Sequence, residues 1–482
     1  MASDGQTAAF LEKAKEASEV IKKHLHADST FTAISHNDAD GLSSAGIIGA
    51  TLARSGARFR LRIVEELRED IVDEISLGKP DIVIFTDIGS GYSELVNTRL
   101  DTKQVVVLDH HPPDGKAGAK IAQVNPHEFG IDGATRVSAA GVAYLVAREV
   151  DDANKDLSTL GIVGALGDMQ DKNEQRALGG LNELVVTDAV NSGSVSVNSD
   201  LVVYGRETRP IFRALAYTTS PYLPNLSGRE DNCLMLLSNA GIALKDGDRF
   251  RTVADLSQEE KQKLLNGIIS YLSSQSLPSN VVLDMVGTVY TLVSEPPGSP
   301  TRDAREFSAL LNACGRTGNP SVGVSIGLGD RTTALTEATE IVANYRKTLA
   351  SYIEWLTKSP DAIQKFKLIW AIRGENQIQE SMTGAFSSII SSAGNLTPDH
   401  AIIVVTKAKD GGVKLSARAP PKLLQRGMNL GSALNETAKK YDGFGGGHNV
   451  AAGAHIKVED PAQFLEELDQ RLLLQLKPDV RS

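Results

Sequence analysis

The chain has 482 residues, 41% of them apolar, with a formal net charge of -10 and two cysteines. That length can bury at least two cores and divide into two to four domains. Cys233 and Cys314 are too few for a disulfide framework or a thiolate metal site, which suits a reducing compartment. The acidic balance argues against a generally basic nucleic-acid coat, though cations held by carboxylates can reverse the sign of a site. Apolar runs such as Ile82–Phe85 and Val105–Leu108 are strand-length rather than membrane-spanning. With Asp4 early and no apolar leader segment, the expected location is the cytoplasm, with no membrane contact.

In chain order, residues 8–27 read as an amphipathic helix with Leu11, Ala14, Ala17, Ile21 and Leu25 on one face. A β-favouring segment from Phe31 to Ile34 runs into His36, Asp38, Asp40 and Gly41, and a small-residue helix follows over 42–52. An extended backbone would point Asp38 and Asp40 the same way, and Gly41 would let the chain turn sharply into the helix. Three such groups in five residues repel one another or go unsatisfied unless they share a cation. The plain alternative is an acidic turn that merely caps a helix.

Phe59, Leu61 and Ile63 alternate with arginines as in a half-buried strand, and 67–77 is helical in pattern. The run 81–86 predicts a strand covered on both faces and ends in Asp87, Gly89 and Gly91. Val105–Leu108 predicts another, ending in Asp109, His110, His111 and two prolines. Helices are predicted over 139–150 and 157–166, the second leading into Gly167 and Asp168. Strands alternating with helices over 170 residues indicate a parallel doubly wound sheet.

The middle of the chain is less legible. Residues 201–224 mix Arg206, Arg209 and Arg213 with Tyr204, Phe212, Tyr217 and Tyr222, either a base-stacking surface or an ordinary amphipathic one. After a loop at 296–300, a helix is predicted from about Ala304 to Gly315, offering Arg302, Arg305, Asn312 and Arg316 as candidate phosphate or sugar contacts. A long helical pattern over 335–356 could carry the chain between lobes. A second α/β unit begins with a strand over Phe366, Leu368 and Trp370, followed by a helix to about Ser392. Strands over 401–405 and 413–418 follow, the latter with Lys414, Ser416 and Arg418 on one face. Gly443 to Gly447 form a turn whose amides can approach an anion, with Arg418 and His448 able to grip phosphate. A final helix is predicted over 464–476.

The same geometry recurs. Asp38 and Asp40, Asp87, and Asp109-His110-His111 each follow an apolar strand, and Asp168 follows an apolar helix. Strands of a parallel sheet end on one side, so these groups should converge. Carboxylates and imidazoles without cysteine suit Mn²⁺, Mg²⁺ or Co²⁺ rather than structural zinc. Two such ions about 3.5–4 Å apart would support in-line attack of water on phosphorus.

His36-Asn-Asp-Ala-Asp-Gly41, Asp87, Asp109-His110-His111 and Gly167-Asp168 resemble the four motifs of the DHH phosphoesterase superfamily. Gly443-Phe-Gly-Gly-Gly-His448 resembles the glycine-rich motif of the associated DHHA1 domain. Within the superfamily the chain looks most like the archaeal RecJ-like single-strand nucleases of DNA replication and repair. The resemblance implies His36, Asp38 and Asp87 on one divalent cation and Asp40, His110 and Asp168 on the other, with Asp87 bridging and Mn²⁺ first among the metals. His111 would touch the scissile phosphate or stand behind the ligands, and Asp109 would orient its neighbours. Substrate would be held by Arg302, Arg305, Asn312, Arg316, Ser416, Arg418, Gly445, Gly446, Gly447 and His448.

The fold expected is α/β: a parallel-sheet DHH domain over 1–185, a largely helical middle region over 186–358, and a smaller α/β DHHA1 domain over 359–482. The cleft between lobes would admit a single strand of DNA or RNA, with 5′→3′ polarity implied by resemblance. No room is expected after the final helix for the extra OB-type domain of bacterial RecJ, which shifts the expectation towards short oligonucleotides. The rival readings are an oligoribonuclease or cyclic-dinucleotide phosphodiesterase and, in another class, a replisome scaffold that binds the GINS complex.

Overall fold

The apolar runs of the first half of the chain pair as one parallel sheet in the computed structural model, which describes residues 4–101, 103–218, 221–277, 280–392 and 399–477. Its strands are β1 (Thr30–His36), β2 (Arg58–Val64), β3 (Ile82–Thr86), β4 (Gln104–Leu108) and β5 (Ile121–Val124). They take the order β2-β1-β3-β4-β5, every pairing parallel. The order reverses between β1 and β3. Where the connections diverge, a crevice opens at the carboxyl ends of those two strands.

The first unit carries α1 (Asp4–His26), α2 (Ala39–Arg54), α3 (Glu69–Leu77), α4 (Ser93–Arg99), α5 (Ala139–Val150), α6 (Ser158–Gly167) and α7 (Asn182–Asn191). Alternate residues of the strands supply two cores. Ala33, Ile84 and Val106 face Phe10 and Ile21 of α1, Ile47 of α2 and Leu145 of α5, whereas Ile34, Phe85 and Val107 face Val72 of α3 and Val96 of α4. β3 is therefore buried at all five positions, each large side chain contributing about 1.5–3 kcal/mol relative to exposure. At the sheet margin, Arg58 and Arg60 of β2 point to solvent.

This unit differs from the sequence reading in several places, α4 and α7 among them, which no pattern predicts. α1 begins at Asp4 rather than residue 8, and α2 at Ala39 rather than 42. β5 is not predicted by pattern, because it has four residues and Gln123 interrupts its apolar run. Pairing with β4 supplies what local propensity lacks.

β6 (Val195–Leu201) pairs antiparallel with β9 (Val286–Leu292). Between them lie α8 (Ile211–Tyr217), α9 (Glu230–Asn239), the short hairpin β7 (Lys245–Asp246) and β8 (Arg249–Phe250), and α10 (Gln258–Ser274). α11 (Ala304–Arg316) and α12 (Pro320–Gly327) return to the first core through Phe307, Leu311 and Ile326. α13 (Thr333–Lys358) then continues into a second compact unit, which begins at about residue 343.

That unit has a mixed sheet in the order β10-β11-β12-β13-β15-β14. Its strands are β10 (Ile363–Lys365), β11 (Ile369–Arg373), β12 (Ala401–Lys407), β13 (Val413–Arg418), β14 (Phe444–Gly447) and β15 (Ala451–Ile456). Its helices are α14 (Thr383–Ser392), α15 (Pro421–Gln425), α16 (Leu430–Ala438) and α17 (Ala462–Gln475). Phe386 of α14 and Tyr352 of α13 cover one face against Ile372 and Val404, while Leu434 and Phe464 cover the other against Ile403 and Leu415. The strand expected over Phe366–Trp370 starts only at Ile369, as β11, and residues 366–368 form a tight connection before it. Phe366 donates its amide to the Ile369 carbonyl, and Asp469 accepts from the Leu368 and Ile369 amides. Among the described residues no helix is long and apolar enough to cross a membrane.

Candidate metal centre

β1 delivers His36 as its last residue, and α2 starts three residues later. Asp38 is the N-cap of α2, its carboxylate accepting from the Gly41 amide at 3.0 Å. Asp40 lies in the first turn and reaches the N-terminus of α5, accepting from Ala139 N at 2.6 Å and Ala140 N at 2.9 Å. Asp38 thus keeps the expected extended backbone as the cap, whereas Asp40 already lies in the helix, and the two carboxylates accept from different helix starts. Unpaired amides at helix starts favour carboxylates, so two helices draw the pair apart. Gly41 is likewise needed for closeness rather than for a special turn, since a Cβ there would lie 2.2 Å from the His36 carbonyl oxygen.

Asp87 follows β3 with φ of 57°, a left-handed backbone that costs energy in a non-glycine residue and recurs at functional sites. Its carboxylate is buried, and neither oxygen has a hydrogen-bond partner among the described residues. The oxygens lie 3.4 Å from His36 Nδ1 and 3.4 Å from His110 Nε2. His110 Nδ1 donates to the Gly133 carbonyl at 2.8 Å. A carbonyl only accepts, so Nδ1 carries a proton and Nε2 is the ring atom that faces the carboxylates. Asp168, just past α6, comes within 3.2 Å of that Nε2.

Two trios result, His36/Asp38/Asp87 and Asp40/His110/Asp168, each with ligand atoms mutually within 4.8 Å. A third trio, Asp87/His110/His111, overlaps both in composition. Asp109 is fully buried and accepts from the amides of Ser90, His110 and His111 and from His111 Nδ1 at 2.9 Å. It orients neighbours rather than facing the trios.

This donor set fits divalent cations. Buried carboxylate oxygens and an imidazole nitrogen, left without hydrogen-bond partners, are costly unless a cation satisfies them. Electrostatics within the cluster point the same way. Burial, together with the charge of Asp87, pushes the Asp40 carboxyl up to about 7. Burial and then Asp40 hold Asp168 well above the usual carboxylate range. For His36 and His110 burial alone would favour the neutral ring, but the facing carboxylates outweigh it and raise both. For Asp38, burial is outweighed in the other direction by His36.

The sign of the pH dependence follows. Asp40 and Asp168 hold protons in the folded chain that the unfolded chain releases above about pH 4. Their contribution to the metal-free fold is complete below that pH and is lost as pH rises through about 7 for Asp40. The raised histidines lose theirs in the same direction, and depressed Asp38 is already fully contributing above about pH 4. The melting temperature of chelator-treated protein should therefore fall between about pH 5.5 and pH 8, by at least about 3 °C. Mn²⁺, competing with those protons, should stabilise more as pH rises. Calorimetry in both conditions checks this, and a metal-free midpoint that climbs with pH would contradict it.

The other expected site residues divide. Asn312 on α11 accepts from Ala39 N at 3.0 Å, and a Cβ at Gly315 would fall 1.5 Å from the Asn37 carbonyl oxygen. α11 thus packs on the acidic turn, and the Asn312 side-chain oxygen is taken up by that turn. Arg305 points to Asp171 at 2.6 Å and to the carbonyls of Thr288 and Arg176. Its donors serve the protein, because Asp171 is buried and needs a counter-charge. Arg302 bonds the Glu295 carbonyl and lines a separate cavity. Arg316 ends α11.

In the second unit, Arg418 bonds Ser388 Oγ at 2.9 Å and lies 3.4 Å from the buried Ser416 hydroxyl. Gly445, Gly446 and Gly447 form β14, a sheet edge rather than the expected turn, paired with β15, and His448 follows it. Gly445 packs so closely on α16 that a Cβ would meet Leu434 O at 2.8 Å. Sequence reading missed Asn125, which is fully buried and donates to Ser90 Oγ and the His111 carbonyl. It follows β5, the strand without a pattern. Gln170, holding the Gly133 and Val137 carbonyls, was missed too.

Comparison with known proteins places three family models on the chain: the DHH family N-terminal domain over 30–165, the DHH-CID domain over 203–286 and the DHHA1 domain over 376–473. The uncharacterized protein MJ0831 of Methanocaldococcus jannaschii is 33% identical over 480 residues, covering 97% of this chain and 100% of that one. In fold, the chain is similar to RecJ from Thermus thermophilus in complex with Mn²⁺, at TM-score 0.58 and 17% identity, covering 97% of this chain and 55% of RecJ, so it spans about half of that protein. It is also similar to CDC45 from Entamoeba histolytica, at TM-score 0.63 and 12% identity, covering 96% of this chain and 99% of that one.

Proposed function

Since the chain belongs to the DHH family, with DHH-CID and DHHA1 domains following in order, we propose that it is a metal-dependent phosphodiesterase that shortens single-stranded nucleic acid, from the 5′ end as the RecJ resemblance implies. The observation that carries this reading is the pair of trios side by side: strained Asp87, whose buried oxygens have no hydrogen-bond partner among the described residues, belongs to one and lies 3.4 Å from His110 of the other. His36, Asp38 and Asp87 would hold one cation, and Asp40, His110 and Asp168 the other, with Mn²⁺ favoured over Mg²⁺ or Co²⁺. When bound, two such ions supply a more acidic water and charge stabilisation at phosphorus.

The chain's own groups do the rest. His110 keeps its proton on Nδ1 through Gly133 and presents Nε2 to the ligand cluster. Asp109 holds His111 through Nδ1, and the balance of burial against that carboxylate raises the imidazole above its usual range. His111 can thus hold a proton at Nε2 for a phosphate oxygen or the leaving group. Ser416, Arg418, the β14 amides and His448 would bind the strand through its phosphates and sugars.

Mn²⁺-dependent digestion of end-labelled single-stranded DNA and RNA, short and long, tests this. Shortening from the 5′ end supports the reading, and cleavage limited to the shortest oligomers moves it to oligonucleotide scavenging. His448→Ala should raise KM roughly tenfold, about 1.4 kcal/mol of binding, with kcat little changed. A fall in kcat at constant KM would instead place His448 in the chemistry.

A second reading draws on the likeness to CDC45 across nearly its whole length: a replisome scaffold that binds the GINS complex. Six potential ligands retained together favour the enzyme, since a pure scaffold has no chemical need of them. Failure of digestion with Mn²⁺, Mg²⁺ and Co²⁺, alongside GINS capture, would favour the scaffold.

A further inference from the structure

Outside the metal cluster, the first unit contains a cavity of about 520 Å³ beside the β6–β9 ribbon, within the size range of small-molecule sites. Three guanidinium groups line it from three separate segments: Arg206 after β6, Arg249 on β8, and Arg302 just before α11. Two carboxylates, Glu207 and Asp255, face them.

The pairing is incomplete. Arg206, with its side chain only 10% exposed, bonds Glu207 at 2.9 Å and pairs with Asp200, yet its buried Nε has no hydrogen-bond partner among the described residues. Asp200 is itself shared with Lys261 at 2.7 Å. Arg302 donates to the Glu295 carbonyl, and its Nε stands 3.9 Å from Glu207, beyond hydrogen-bond reach. Arg249 and Asp255 form a bidentate pair at the rim. A buried donor without an acceptor is destabilising. An anion with several oxygens, entering among three planar forks, would supply acceptors that two carboxylates cannot.

We propose that this cavity is a second binding site, separate from the metal cluster, for a phosphate ester of nucleotide size. A tetrahedral phosphate offers the three forks more oxygens than a carboxylate does, and the volume accommodates a nucleoside with it. The site stands at one end of α11. Arg302 directly precedes the Asp303 cap, while the far end of the helix clamps Asn37 and Ala39. A ligand drawing on Arg302 would act on the acidic turn through a rigid helix roughly 20 Å long.

Isothermal titration of the metal-free full-length chain with AMP tests the proposal, with inorganic phosphate and sulfate as parallel arms. AMP should bind saturably and more tightly than either ion. Ser196→Phe, which fills the cavity from β6 without removing an ion pair, should weaken AMP about tenfold, or ~1.4 kcal/mol. Arg249→Ala at the rim should weaken it in the same direction. Asp87→Asn and His448→Ala should leave AMP binding within about twofold, so that this site and the proposed nuclease site fail separately. No saturation, equal binding of phosphate and AMP, or AMP binding that resists both cavity variants while vanishing with Asp87→Asn or His448→Ala would each overturn it.

Discussion

Asp87→Asn is expected to reduce Mn²⁺-dependent digestion of single-stranded nucleic acid by more than roughly 100-fold, since groups that only support metal ligands are already worth about 10- to 100-fold. Asp87 is the one residue common to the trio at the acidic turn and the trio that includes His111. Its loss would weaken cation binding on both sides of the crevice. Asparagine tolerates the left-handed backbone at φ 57°, so the substitution should change charge and leave the turn intact. One negative charge is also removed from a cluster in which Asp40 and Asp168 repel it. That carboxylate also faces the His36 and His110 rings, so the discriminating quantity is the gain on addition of Mn²⁺, which should be smaller than in the parent. Digestion rates and paired melting curves decide the matter. Activity within tenfold of the parent would show that the trios do not form the reacting centre.

Arg305→Met should cost roughly 3 kcal/mol of stability, the order seen when one partner of a buried ion pair is removed. Asp171 is 4% exposed and holds Arg305 at 2.6 Å. Without the guanidinium, that carboxylate and the Thr288 and Arg176 carbonyls lose their donor. Asp171 stands three residues beyond Asp168, so the pair also secures the segment that carries this candidate ligand. The double change Arg305→Met with Asp171→Leu should regain much of the loss, because no charge is then left buried. Denaturant unfolding of the three variants measures the coupling. Kinetics separate the alternatives: a positioning role leaves KM nearly constant, whereas a phosphate contact would raise KM with little change in stability.

Local chemistry made much of this protein readable in one dimension. The runs at β3 and β4 are apolar enough to demand a strand covered on both faces, β1 is β-favouring, and each ends at or just before a His or Asp. A parallel sheet puts such ends together whatever the loops do, and that groups His36, Asp87 and His110. α11 was legible: the helix expected from about Ala304 to Gly315 is there, and Asp303 caps it. What its polar residues do was not legible. Arg305 and Asn312 look like ligand contacts along the chain, and only packing turns them inward to Asp171 and to Ala39.

The same limit holds for the acidic turn. Spacing places Asp38 and Asp40 near each other, but the competition of α2 and α5 for carboxylates decides where each one points. β5 and Asn125 were hidden because a four-residue strand draws its stability from its neighbour, not from its own pattern. The glycine-rich segment became an edge strand for a similar reason: paired with β15 and packed on α16, it has backbone partners that a lone loop lacks. Periodicity and strand-end chemistry are local properties, so the sequence alone determined strands β1 to β4, the helices α1, α2, α3, α5 and α6, and the His and Asp residues that follow them. Hydrogen-bond partnership depends on which segments meet, and that was decided only by the tertiary structure.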